Sequence, residues 1–351
     1  MIFPDADRRH LKVSAVFAII AALLIAAAAV LEAVIGSFAS STEFIHAGDR
    51  WSADGTRYAT FARYDEAGMF SEDEAQYAAV NIEDKLIQAS ITPNENARSW
   101  TYAYSTETQV GFTGPKSTVT ANVTVCGGDF IVFHPFRFTY GTFFLNDASN
   151  PMGVVLDRDL AWKLFGAENI IGMTLSYGDI EYTVVGIAEQ ESYDGIYGET
   201  YGSTPRAYVS YAGYRKLGMG DAPVTAFEAT IPNPVSGFGL DIFENCLGKT
   251  GDSVTVSEVS ERYTVAKRWE RIGDLKYSLT KMNQIKYPFW ENEARVYDYL
   301  SSVMTVIQLV LLIAAALCLL AAVISFATSG FSFKKSFKRL FRIKSIREIE
   351  V

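Results

Sequence analysis

Ser71-Glu72-Asp73-Glu74-Ala75-Gln76-Tyr77-Ala78-Ala79-Val80-Asn81-Ile82-Glu83-Asp84-Lys85-Leu86-Ile87-Gln88-Ala89 is the stretch from which the middle of this chain is best read. Glu74 stands three residues after Ser71, the spacing at which a serine hydroxyl and a glutamate side chain satisfy each other's backbone N–H groups at a helix start. Behind it, Ala75, Ala78, Ala79, Ile82, Leu86 and Ala89 fall on one stripe at helical spacing. The pattern predicts a helix over 72–89. It is preceded by the strand-like run Arg57 to Tyr64 and followed by β-rich sequence at Trp100–Tyr104 and Ser117–Val125. Strand, helix and strand in that order make a β-α-β unit.

A second such unit can be read further on. Thr225–Ile231 has strand composition, Pro232-Asn233-Pro234 stops it, a helix is expected over about 235–246, and Ser253–Val259 reads as another strand. Between the two units the sequence favours β-structure. Gly153–Leu156 is a short buried strand, and Asp157 is placed to cap a helix that carries Leu160, Ala161, Leu164 and Phe165 on one face and ends at Gly166. Glu181–Ala188 and Ala207–Ser210 are further strands, and the Gly-, Tyr- and Ser-rich segment 192–204 reads as a long loop. Residues 260–298 are mixed and charged, with helix leading onward and a break at Tyr287-Pro288.

Further out lie the apolar ends. Val13–Leu31 has no charge, and at about 1.5 Å per residue it reaches roughly 28 Å, enough for a hydrocarbon core of about 30 Å. Its apolar character continues past Glu32 through Ala33-Val34-Ile35, longer than the core of a cleaved signal peptide. Tyr299–Phe333 is a second, longer apolar segment. Arg8, Arg9 and Lys12 precede the first span, and Lys334, Lys335, Lys338, Arg339, Arg342, Lys344 and Arg347 follow the second. By the positive-inside rule both termini are expected in the cytoplasm and the acidic middle outside it. The expected division is a cytoplasmic N-terminus over 1–12, a first transmembrane helix over 13–39, an extracytoplasmic domain over 40–298, a second transmembrane helix over 299–330 and a basic tail over 331–351. The fold class is α+β: two transmembrane helices flanking a large domain of β-α-β units with a β-rich inserted subdomain. The units take about 45–122 and 205–260, and the insert about 123–204.

Composition excludes several roles. Among 351 residues, 31 are basic and 40 acidic, and a net charge of −9 speaks against binding nucleic acid, whose phosphates need a basic surface. The apolar fraction of 49% is too high for a disordered chain. The three cysteines form no C-x-x-C pair; Cys126 and Cys246 are both in the middle region, where a single bridge is permitted but not required. Gly248-Lys249-Thr250 ends like a phosphate-binding loop, but its first glycine position is held by Phe243. His10, His46 and His134 are scattered, and His134, in Phe133-His134-Pro135-Phe136, reads as a packed turn residue. Tyr193, Tyr197 and Tyr201 lie in the predicted loop and suggest at most a contact surface. No catalytic, cofactor-binding or metal-ligating set emerges, and the chain is not expected to be an enzyme. The tail is different. Phe333, Phe337, Leu340 and Phe341 share one helical face, and Lys334, Lys335, Lys338, Arg339 and Arg342 occupy the others. Lys334, Lys335, Phe337, Lys338, Arg339, Phe341 and Arg342 are therefore the candidate contact with anionic lipid or with a cytoplasmic partner.

The run from Asp129 to Ala188 resembles the extracytoplasmic core domain of MacB/FtsX-type ABC transporter permeases. The resemblance rests on Phe138-Thr139-Tyr140-Gly141-Thr142-Phe143-Phe144, on Val154 through Gly166, on Ile171-Gly172-Met173-Thr174-Leu175 and on Tyr182-Thr183-Val184-Val185-Gly186-Ile187. It implies a mechanical role, in which a separate cytoplasmic ABC ATPase hydrolyses ATP and moves the helices, and the outer domain follows. This chain then needs no cofactor of its own. Its implied partners are that ATPase, membrane lipid, and a second permease chain or a second copy of itself. Its implied place is the bacterial inner membrane. Peptides, antibiotics and lipoproteins are the implied cargo, for export or extraction. The family usually has four spans and two are visible here, which leaves open a complete subunit, a half-permease paired with another membrane chain, an accessory subunit or a truncated form. The rival readings are a membrane-anchored extracellular sensor or adhesion module that works without an ATPase, and a tethered hydrolase, for which no nucleophile and base are in view.

Overall fold

The structure, a computed structural model, describes residues 8–52, 55–91, 98–144, 151–189, 204–248, 253–273 and 287–329. By internal contacts the chain divides into Phe38–Tyr299 and a pair of segments, Met1–Ser37 with Leu300–Val351.

The larger unit is built on one ten-stranded sheet. Its strands in chain order are β1 (Tyr58–Asp65), β2 (Thr101–Thr113), β3 (Thr118–Gly128), β4 (Phe138–Gly141), β5 (Gly153–Asp157), β6 (Thr174–Tyr177), β7 (Ile180–Ala188), β8 (Arg206–Ser210), β9 (Ala226–Pro232) and β10 (Val254–Glu258). Their order in space is β10-β1-β9-β2-β3-β8-β5-β7-β4, with β6 attached to β2 and β7. The two β-α-β units read from sequence are present but interlocked. α3 (Glu72–Gln88) carries β1 to β2, and α7 (Phe238–Leu247) carries β9 to β10. β9 runs antiparallel to both β1 and β2 and lies between them, and β1 likewise separates β9 from β10. The order β10-β1-β9-β2 is that of a split β-α-β pair. Everything from β3 to β8 is inserted between β2 and β9, and it extends the same sheet instead of forming a separate one. The boundary expected near 122/123 falls inside β3, because the long β2–β3 hairpin, paired from Ala103–Gly128 to Thr113–Thr118, ties the two regions together.

One face of the sheet is covered by α3 and α7, which lie side by side, and by α5 (Arg158–Phe165) and α6 (Tyr211–Lys216). The predicted stripe does the work on α3: Ala75, Ala78, Ala79, Ile82 and Leu86 are all buried. Its start is capped as expected, with Ser71 N–H donating to Glu74 Oε2 at 2.8 Å and Glu74 N–H to Ser71 Oγ at 3.2 Å. Phe61 of β1 meets Phe243 of α7 with ring centroids 5.5 Å apart. Full burial of such a side chain contributes about 1.5–3 kcal/mol.

The other face is covered by segments near the ends of this unit: the turn Glu43–His46, α2 (Ala47–Trp51), α4 (Phe130–Phe133) and the first residues of α9 (Phe289–Thr328). α9 starts at Phe289, ahead of the expected span, because Pro288 opens the helix and its first turns are too charged for a bilayer.

The smaller unit is a helix pair, formed by α1 (Arg8–Ser41) and the greater part of α9. Both are long and apolar enough to cross a membrane. They meet through small residues, with Ala21, Ala28, Ala315 and Ala322 nearly inaccessible, while Leu23, Val30, Val310 and Leu317 are exposed. Gln308 donates from Nε2 to the carbonyl of Ala28 at 3.1 Å and to Glu32 Oε2 at 3.0 Å. Glu32 thus has a partner on the neighbouring helix.

Asp157 joins the inserted strands to their helix. Its Oδ1 accepts Leu160 N–H at 2.7 Å, capping α5, and its Oδ2 accepts Arg206 N–H at 2.7 Å at the start of β8. Burial pushes its carboxyl up to about 6 from 3.8, against the pull of those two donors. A carboxyl whose folded pKa exceeds its unfolded value favours folding while protonated, so this contribution fades as pH rises from about 4 to about 6. Relative to Asp157→Asn, the unsubstituted protein should therefore lose stability across that window. Asp157→Ala should cost about 2–3 kcal/mol at neutral pH, a lost cap plus an orphaned N–H. Urea melts of the detergent-solubilised protein at three pH values check both.

Candidate functional site

Burying both faces of a sheet forces every polar group between the layers to find a partner. On the face covered by α9, that demand concentrates charge at the root of the helix. Glu291, Arg295 and Asp298 are spaced along its first turns, and Arg262 comes from the turn after β10. Arg262 grips two carboxylates. Its Nη1 and Nη2 donate to Glu291 at 2.7 and 3.0 Å, and its Nε and Nη2 donate to Asp298 at 2.9 and 2.7 Å. Arg295 Nε adds a bond to Glu291 Oε1 at 2.7 Å, and Arg271 of α8 (Val265–Ile272) donates to Asp298 and to the Arg262 carbonyl.

Glu291 and Arg262 are 2% and 8% exposed as side chains. Burial disfavours the Arg262 charge, but Asp298 and Glu291 overcome it and hold the guanidinium well above its usual pKa. Burial of Arg271 prevails over Asp298 and lowers its pKa. Tyr64 of β1 lies beneath, fully buried; burial, and then the nearby Glu291 and Glu228, push its phenol well above the usual value. Aromatic contacts close the edges. Arg295 stacks over Tyr287 at 3.7 Å, Tyr287 meets Tyr64 edge-on at 5.5 Å, and Tyr297 stacks on Phe38 at 4.6 Å. Tyr263, next to Arg262, bonds Thr42 at 3.1 Å. Residues that follow α1 and residues that begin α9 are thereby fixed to one another and to the strand pair β1–β10.

A second buried polar pair lies nearby. His134 Nε2 is 2.7 Å from Glu228 Oε2 of β9, and the imidazole packs against Trp290 at 4.2 Å and Phe130 at 4.6 Å. Glu228 fits at mid-sheet because its cross-strand neighbours are Ala62 and Ala103. A cavity of about 50 Å³ lies beside His134, Trp290, Phe44 and Glu293, room for one or two water molecules.

The expected packed histidine is thus found, with a glutamate partner that sequence spacing did not disclose. Cys126 and Cys246 are free thiols. Cys126 faces the α9 side of the sheet and Cys246 packs with the α3 side, so the sheet itself separates them. Among the described residues no group of three metal-ligating side chains converges. Lys334, Lys335, Phe337, Lys338, Arg339, Phe341 and Arg342, together with the tyrosines at 193, 197 and 201 and the 249–250 pair, lie outside the described residues. The Arg262 cluster is what sequence reasoning missed. The spacing of Glu291, Arg295 and Asp298 on a single helix was a visible signal, but their partner is some thirty residues earlier and unmarked.

The model of the family described as the MacB-like periplasmic core domain matches residues 13–266. Among solved structures, the periplasmic region of MacB from Actinobacillus actinomycetemcomitans aligns with 14% identity and a TM-score of 0.41, covering 60% of this chain and 92% of that one. The extracellular domain of the ABC-type transporter YknZ from Gram-positive bacteria aligns with 12% identity and a TM-score of 0.39, over 57% of this chain and 100% of that one. A domain of a permease protein from Porphyromonas gingivalis aligns with 12% identity and a TM-score of 0.33, over 57% and 89%. No curated protein matches the chain.

Removing one member of a buried ion cluster strands the rest, at a cost of about 3–5 kcal/mol. Arg262→Leu should lower stability by that amount. Arg262→Leu combined with Glu291→Leu and Arg295→Leu should recover part of it, because Asp298 keeps Arg271 as its partner and no charge of the cluster is left unpaired. Denaturant melts followed by tryptophan fluorescence measure both.

Proposed function

Because the chain belongs to the MacB-like periplasmic core domain family, we propose that it is a permease-type or accessory membrane subunit of an ABC transporter, coupling a separate cytoplasmic ATPase to movements of its extracytoplasmic domain. The observation that carries this reading is the Arg262–Glu291–Asp298 cluster. α9 is one helix from Phe289 to Thr328, and its first turns are bolted through Arg262 to the turn after β10. A displacement or rotation arriving along that helix has a stiff, charge-paired route into the sheet. On this reading ATP hydrolysis is assigned to the partner.

On this reading both termini are cytoplasmic, the site is the bacterial inner membrane, and the partners are the ATPase, lipid, and a second permease chain or a second copy. Cargo is a peptide, an antibiotic or a lipoprotein, exported or extracted. The basic positions Lys334, Lys335, Lys338, Arg339 and Arg342, interleaved with Phe337 and Phe341, are proposed to contact the ATPase or the anionic headgroups beside it, each basic residue contributing about 1 kcal/mol near an anionic surface.

Two measurements test this. Purification of the full-length protein from its host in mild detergent should recover an ATPase subunit, and replacing the five basic residues by Gln should reduce that recovery at least several-fold. In the reconstituted complex, Arg262→Gln should leave ATPase binding intact but weaken the dependence of outer-domain motion on ATP, read by distance changes between spin labels on α3 and α5. Absence of any ATPase from the purified material, with the tail intact, refutes the reading.

A further inference from the structure

α8 is amphipathic in the wrong sense for a helix on a water-facing surface. Thr264 caps its start by accepting Lys267 N–H, and behind that cap Val265, Trp269 and Ile272 fall on one stripe at helical spacing. The stripe faces outward: Val265 and Trp269 are 55% and 45% exposed. The arginines face inward. Arg268 is 1% exposed, and Arg271 donates to Asp298 and to the Arg262 carbonyl. Lys267 and Glu270 pair with each other at 3.0 Å, so neither adds a net charge beside the stripe. A helix on a soluble domain turns its apolar side to the core and its charges to water. On α8 the two are exchanged.

The exchange has a cause in where α8 is fastened. Lys12 is the last charged residue before the apolar part of α1, and from Val13 a hydrocarbon core of about 30 Å takes about 20 residues of helix, to about residue 33. α9 runs against α1, with Ser14 Oγ donating to the Ala322 carbonyl at 2.8 Å and Gln308 Nε2 to the Ala28 carbonyl at 3.1 Å, so the facing stretch of α9 covers about 303–323. Asp298 lies about five residues, or about 8 Å, ahead of that stretch on the same continuous helix. Such a distance falls in the headgroup layer, which brings the whole bilayer to about 40–45 Å. Arg271 therefore fastens the last turn of α8 at the level where lipid headgroups begin, the level at which tryptophan is enriched in membrane proteins. A protein partner for the stripe would have to displace headgroups from that layer, so the level selects lipid as the occupant.

We propose that Val265, Trp269 and Ile272 of α8 rest on the membrane surface on the side of the sheet domain, with the Trp269 indole among the lipid headgroups and Arg271 holding the helix to the root of α9. The apolar stripe then leaves water on contact with the boundary between headgroups and acyl chains, as in helices that lie in the membrane plane. The proposal rests on α1 and α9 crossing a membrane and needs no ATPase. It goes beyond the transporter reading by giving the outer domain a lipid contact of its own.

The test reconstitutes the full-length protein into phosphatidylcholine bilayers whose acyl chains are plain or brominated close to the headgroup, and reads tryptophan fluorescence. Zwitterionic lipid suffices because Lys267 and Glu270 cancel. The bromines should quench the unsubstituted protein, and Trp269→Phe should remove about half of that quenching or more. Val265→Ser with Ile272→Ser, Trp269 being kept, should reduce it about twofold or more. Leu317→Trp, within the span, should be quenched most by bromines deep in the chains, which separates a failure of insertion from a failure of this proposal. With that tryptophan quenched, an unsubstituted protein that the shallow bromines leave bright overturns the proposal, because the stripe then faces water or protein. Quenching that Trp269→Phe leaves unchanged overturns it as well. Equal melting of Trp269→Phe and the unsubstituted protein ties the lost quenching to the place of the ring.

Discussion

A sheet with two buried faces needs two covers, and this requirement governs the larger unit. The crossover helices α3 and α7 supply one cover at no topological cost, because a split β-α-β pair puts both on the same side. The other face has no crossovers of its own. It is closed by the turn after α1, by α4 and by the first turns of α9. Segments that border the two long helices thereby become structural parts of the sheet domain. Their charged residues, which solvent would otherwise have stabilised, are enclosed, and enclosure in a low dielectric makes pairing obligatory.

The strands under that cover are adapted to it. β1, β2 and β9 present Ala62, Ala103 and Ala226 toward α9, and the space they leave admits Glu228, the imidazole of His134 and the indole of Trp290. On the other side the same strands present Phe61, Phe227 and Ile231 to the helices. Around Glu228 the small strand residues leave room for the bulky aromatic and charged groups of one layer, while Phe61, Phe227 and Ile231 fill the space beneath the aliphatic helix stripes of the other.

Local signals made much of this legible. Ser71 and Glu74 cap α3 because that pairing is settled within four residues, and Asp157 and Gly166 bound α5 for the same reason, with Gly166 at φ +74°. Strand composition located β1, β5, β7, β9 and β10. Strand order was not legible: nothing in Tyr58–Asp65 says that its neighbours are β9 and β10, since antiparallel pairing is fixed by side chains meeting across long loops. The Arg262 cluster was hidden for the same reason. Its carboxylates are helix residues at ordinary spacing, and a charged stripe usually faces water. Only the second cover turns it inward.

Once inward, the cluster acts on geometry more than on stability. A buried ion pair returns little net stability over an apolar packing of equal volume, but it tolerates few alternatives. Turning α9 by a single residue would rotate its side chains by about 100° and part Glu291, Arg295 and Asp298 from Arg262 and Arg271 together. Such a slip strands several charges at once, whereas carrying Arg262, the turn after β10 and the strands beside it along with the helix strands none. Motion that reaches the root of α9 is therefore more readily taken up by moving the sheet with it than by sliding beneath it. An apolar contact of equal volume would hold the helix as well but would tolerate such a slip, since no charge would be stranded by it.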